Sequence, residues 1–165
     1  MKYRKDRPWS SPHTSIPRSQ WLRLWTALPA RLITETVRTL ETHHRVEDLH
    51  LPQSGLGLLP LKDGALGEHY FLGEVPVTRA HVRIRDGQGR TGEGAAVALD
   101  DRSGMARALA ILDGVLMCGL SGWENAVDLL DKGRAEVTSI ERQRNKLLAA
   151  TRVDFSLLGA EGDDD

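Results

Sequence analysis

At 165 residues and 18.3 kDa, with 40% hydrophobic and 27% charged residues, the chain suits one globular domain that buries roughly two-thirds of its unfolded surface. A formal net charge of -1 and a pI near 6.6 argue against the general basic excess by which nucleic-acid and anionic-membrane binders hold their partners. The single cysteine excludes an intramolecular disulfide and a four-thiolate zinc or iron–sulfur site within the chain.

In chain order, residues 1–18 are rich in Pro, Ser and Arg without a helical or alternating period, and read as a flexible tail. The basic start Met1-Lys2-Tyr3-Arg4-Lys5 lacks the apolar stretch of a signal peptide, and no apolar run approaches the ~20 residues of a membrane span. A cytoplasmic location is therefore expected, with no membrane or nucleic-acid partner. Ser19 can cap a helix that carries Trp21, Leu24, Trp25 and Leu28 at three- and four-residue spacing. Pro29 then opens a second helix with Leu32, Ile33, Val37 and Leu40 on its apolar face, so the two form an amphipathic pair.

From Val46 to Leu61 the helical period is lost and Pro52, Gly55, Gly57 and Pro60 interrupt, which predicts one strand or two short ones. After a turn at Lys62-Asp63-Gly64, the aromatic run His69-Tyr70-Phe71-Leu72 predicts a strand ending at Gly73, with Pro76 as a break. A further strand follows. Arg79, His81, Arg83 and Arg85 alternate with Ala80, Val82 and Ile84, the period-two pattern of a sheet with one buried face. Asp86-Gly87-Gln88-Gly89 is turn chemistry that returns the chain as a partner strand over residues 93–99.

Asp100, Asp101 and Ser103 offer caps for a helix with Met105, Leu109, Leu112, Val115 and Leu116 on one face, expected to be the most buried of all. Cys118, at the end of that apolar run, is read as a core thiol. Trp123 to Asp131 predicts a short helix and Ala135 to Thr151 a longer one, separated at Gly133. Residues 159–165 end in a solvated acidic tail. The sum is an α+β fold: an N-terminal helical pair, a largely antiparallel sheet and C-terminal helices packed on one face, forming one domain over residues 19–158.

Chemistry-bearing motifs are few. Gly87, Gly89, Gly92 and Gly94 lie between strands and lack the Gly-Lys-Ser/Thr ending of a phosphate loop, so they read as a hairpin turn. His43, His44 and His50 lack metal-ligand spacing and read as surface residues, while His69 and His81 could approach across neighbouring strands. No metal site within the chain is expected. Arg79, Arg83 and Arg85 project from one strand face, where guanidinium forks suit phosphate or phosphonate oxygens, though a solvated face or an interface is the plainer account of them. No Ser-His-Asp or Cys-His set can be assembled, which argues against an autonomous hydrolase. Trp21, Trp25 and Trp123 can serve as core residues or interface anchors.

The run Gly67-Glu68-His69-Tyr70-Phe71-Leu72-Gly73-Glu74, followed by Thr78-Arg79-Ala80-His81-Val82, resembles the central signature of the PhnG family. A second match, Thr151-Arg152-Val153-Asp154-Phe155, resembles that family's C-terminal segment, although Ser156-Leu157-Leu158 replaces the usual continuation. Similarity runs from Trp21 through Asp100-Asp101-Arg102 to Phe155, and is poorest from Trp123 to Gly133. The resemblance implies the small G subunit of the carbon–phosphorus lyase core complex, partnered by the H, I and J subunits. It implies ATP, with magnesium, as substrate of the complex and no cofactor bound by this chain alone. The implied reaction displaces adenine from ATP by a phosphonate, giving ribose 1-phosphonate 5-triphosphate. On this reading Arg79 is the candidate anion contact and Glu68 the candidate for orientation or magnesium. The rival expectations are a stand-alone small-anion-binding module and a purely structural subunit.

Overall fold

The computed structural model describes residues 11–65 and 67–150. Its elements, in order, are α1 (Arg18–Thr26), α2 (Ala30–Glu41), β1 (His44–Lys62), β2 (His69–Asp86), β3 (Thr91–Ala98), α3 (Ser103–Cys118) and α4 (Trp123–Ala150). The strands form one antiparallel sheet in the order β1-β2-β3. This is the expected α+β arrangement.

Helix α3 is the centre of the body. Its apolar residues occur all round, which only a helix enclosed on every side tolerates, and Leu109, Ile111, Leu112, Val115 and Leu116 are fully buried. On one side α3 meets the inner face of the sheet, built from Thr78, Ala80, Val82 and Ile84 of β2 and Ala96 of β3. On the other it meets α1, α2 and α4, which contribute Trp21, Trp25, Ile33, Val37, Leu129 and Leu130. The approach of α3 to β3 is made by glycine. A Cβ on Gly94 would overlap the Ala110 carbonyl oxygen and the Gly114 nitrogen, so Gly94 and Gly114 allow backbone to lie on backbone. Gly92, against Cys118, and Gly94 are thus packing residues of β3, and only Gly87 and Gly89 of the expected glycine turn lie in the turn itself.

Polar side chains fasten the layers. Asp113, buried in mid-α3, receives both Nε and Nη2 of Arg18 at 2.8 and 2.6 Å, and the Ala95 N–H at 3.0 Å. One carboxylate thereby joins α1, α3 and β3, and its hydrogen bond holds the Arg18 pKa above its ordinary value. At the end of β2, burial alone would raise the Asp86 pKa, but donors from Arg90, Ser121 and Gln88 lower it to about 2. Arg107 ties α3 to Glu41 of α2 and Asp48 of β1.

Several sequence expectations need correction. Ser19 lies inside α1, whose N-cap position is Pro17, and no side chain caps α3, whose N-cap position is Arg102. Asp100 instead accepts the Arg102 N–H and its guanidinium. Residues 11–17, read as tail, dock on the body: Ile16 is buried, Ser11 donates to the Leu116 carbonyl, and His13 stacks on Trp123 at 4.2 Å. Gly133 does not divide two helices. It lies within the continuous α4, where a Cβ would overlap the Leu24 backbone, so it admits α1 at close range. Gly73 and Pro76 do not break β2 either, because β3 pairs only with residues 78–85. Along residues 69–77 one edge of β2 is open, where a proline without an N–H costs no ladder bond. Cys118, at the last turn of α3, is exposed.

Candidate functional site: the outer face of the sheet

The described helices all lie on the inner side of the sheet, with α3 packed against it, and leave the outer face open. The alternation read from the sequence puts Arg79, His81, Arg83 and Arg85 on that face. What faces them across β1 is set by irregularities in the ladder. The pairing starts at His44 with Asp86 and shifts between Asp48 and His50 and again between His50 and Gln53. Continued unbroken, it would set His81 opposite Leu49 and Arg79 opposite Leu51. The shifts bring His50 and Gln53 to those positions instead, the re-aiming of side chains that β-bulges perform.

The result is a row of polar contacts. Arg79 donates from Nε and Nη2 to Gln53 Oε1 at 3.0 and 2.6 Å, a neutral acceptor that leaves the guanidinium charge uncompensated. Next to it His50 and His81 stack, with ring centroids 5.6 Å apart. His81 Nε2 lies 3.3 Å from Glu93, which also receives Arg83 from β2. That guanidinium, with His81 behind it, holds the Glu93 carboxyl below its ordinary pKa. Glu47 of β1 stands 3.9 Å from Arg83 on its other side. A shallow cleft of about 330 Å³ runs over His50, Arg79, His81, Ala95 and Val97.

The two candidate site residues do not meet. Glu68 lies in the β1–β2 turn, where its carbonyl accepts the Asp63 N–H, and Arg79 is eleven residues further along the strand, about 35 Å away at ~3.3 Å per residue. One ligand cannot reach both on a single chain. His69 and His81 are likewise on the same strand, not on neighbouring ones. His44 is buried, not on the surface, with Nδ1 2.7 Å from the Leu40 carbonyl and no partner at Nε2. Among the described residues no three His, Cys, Asp or Glu side chains gather to hold a metal ion, and no single helix is long and apolar enough to cross a membrane. Trp21 and Trp25 donate to the Ile16 and Ala126 carbonyls inside the core, so they are not interface anchors.

Beyond this face, β1 and β2 continue as a bare two-stranded arm. From Ser54 to Lys62 the ribbon extends about 30 Å from the body with neither β3 nor α3 against it. Leu56, Leu58, Tyr70, Phe71 and Leu72 are exposed there. Consecutive strand residues point to opposite faces, so Tyr70 and Phe71, exposed by 50% and 64%, make both faces of the arm apolar.

The sequence model for the family described as "Phosphonate metabolism protein PhnG" matches residues 16–159, which include the whole body, the arm and the outer face. The chain belongs to the PhnG family. Family membership places it in phosphonate metabolism, and the central signature, Gly67 to Val82, is now seen to be the arm's outer turn together with β2. The second signature, Val153-Asp154-Phe155, lies outside the described residues. No curated protein matches the chain. The His50–His81 stack and the Gln53–Arg79 bond were missed by sequence reasoning. Pro52, a residue that interrupts a regular ladder, was the one signal that the register changes there.

Proposed function

We propose that this chain is a non-autonomous subunit of the carbon–phosphorus lyase core complex, assembling in the cytoplasm with the H, I and J subunits. There it supports ATP-dependent displacement of adenine by a phosphonate to form ribose 1-phosphonate 5-triphosphate. Beside the family match, the arm is the observation that carries this reading. A two-stranded hairpin is marginal in water by itself, and one with exposed Leu, Tyr and Phe on both faces is built to be enclosed by another chain.

Within the complex, Arg79 is the anion contact, because among the described residues its guanidinium meets the neutral Gln53 and no carboxylate, and its fork matches phosphate or phosphonate oxygens. Glu68 acts, if on phosphate or magnesium, at a different place from Arg79, since the arm separates them. Co-expression with the H, I and J subunits, followed by assay of phosphonate-dependent adenine release, tests the reading. Co-purification together with release that needs this chain is expected. Arg79→Ala should then lower turnover by ~100-fold while leaving assembly intact, on the order of one lost charge-assisted contact in a reacting complex. Adenine release that is the same with and without the chain, and no association, would refute it.

A further inference from the structure

The outer face carries a second group of cations that the Arg79 reading does not use. Arg45 of β1 and Arg85 of β2 are cross-strand partners, so their side chains emerge side by side on the open face. Neither side chain has a hydrogen bond or ion pair with any described residue. Their neighbour Arg83 is already met by Glu93 at 2.9 Å and by Glu47 at 3.9 Å. The three arginines with Val46 and Glu47 line a cleft of about 390 Å³.

Like charges directly opposite one another on a sheet destabilise it. Elsewhere on this face each acidic group lies beside a cation, as Glu93 lies beside Arg83 and His81. A paired site left with two uncompensated guanidinium groups is therefore a stability cost that a bound anion would relieve. The spacing favours concentrated charge. Two guanidinium forks on paired positions of adjacent strands start about one strand separation apart, within reach of neighbouring phosphate groups of one ligand. Two carboxylates of a partner protein would have to be held together there against their own repulsion.

We infer that the Arg45–Arg85 cleft is a binding site for a ligand with two or more adjacent phosphate or phosphonate groups. It is distinct from Arg79, which stands six residues, or about 20 Å, further along β2. The inference does not depend on the subunit reading, because binding is measured on this chain by itself.

Tripolyphosphate titrated calorimetrically into the full-length chain is the test, with thermal unfolding measured in parallel. Saturable, salt-sensitive binding is expected, weakened at least tenfold in Arg45→Gln and in Arg85→Gln, and unchanged in Arg31→Gln, a charge-matched change on α2. Without ligand, Arg45→Gln and Arg85→Gln should unfold at the wild-type temperature or above it, and tripolyphosphate should raise Tm in the wild type and in Arg31→Gln but less in the two cleft variants. Four outcomes would overturn the inference: no binding by the wild type, equal affinity in the three variants, a lowered Tm in the ligand-free cleft variants, or loss of subunit co-purification in those variants with tripolyphosphate affinity unchanged.

Discussion

Strand β2 leads two lives. From Thr78 to Asp86 its residues alternate strictly between core and solvent, while along residues 69–77 both faces are exposed although the strand continues without a break. The difference lies in the neighbours. The inner half has β3 along its edge and α3 across its face; the outer half has β1 alone. Apolar character does not fall where the packing stops, so the outer half keeps a hydrophobic surface that no other described element covers. A strand is stabilised by its layer and not by its own sequence.

The comparison is sharpest at glycine. Gly94→Ala would press a methyl group into the α3 backbone, and we expect a loss of about 3 kcal/mol or more in urea unfolding. Gly55→Ala on the arm meets no atom within 4 Å and should stay within about 0.5 kcal/mol of the wild type. Equal effects would mean that arm and body unfold as one packed unit. Next in size is Arg18→Ala, which strands the buried Asp113 carboxylate and should lower stability by about 2–3 kcal/mol, less than a fully buried pair because Arg18 is partly exposed. Asp113→Asn combined with it should recover part of that loss.

A smaller effect concerns acid. Asp86 is held at about 2 in the folded chain against an ordinary 3.8, so its contribution is present above pH ~4 and is lost as the pH falls through its folded value. Asp86→Asn should flatten stability against pH between about 4 and 2, measured by denaturant midpoints across that range. Smallest of all is the expected effect of arm surface changes on the isolated chain: Leu58→Ser with Phe71→Ser should leave Tm within about 2 °C, because both side chains are already exposed.

The body was legible in the sequence wherever a period survived. The 3.6-residue stripe of α2 named the buried Ile33, Val37 and Leu40, with Leu32 only half-buried, and the alternation from Arg79 to Arg85 named Ala80, Val82 and Ile84, since burial on one side imposes that pattern. Punctuation misled where tertiary packing gave a glycine or proline another reason. Gly133 reads as a helix break but serves the α1–α4 contact, and Pro76 reads as a strand end but lies along an open edge. Arg79 and its face were found from alternation and resemblance, whereas its partner Gln53 depends on ladder shifts that no local pattern encodes. Cys118 lies against Gly92 of β3 yet is exposed, and an apolar run does not reveal which of its last residues reaches solvent.

The central claim is that the arm joins this chain to the other subunits of a phosphonate-processing complex. Its most direct test is co-purification of the wild type and of Leu58→Ser/Phe71→Ser with co-expressed H, I and J subunits, followed by dissociation measurements. The account predicts a stable wild-type complex and at least tenfold weaker association for the double variant, corresponding to about 1.4 kcal/mol or more, with its Tm unchanged. Equal association of the two proteins would contradict it.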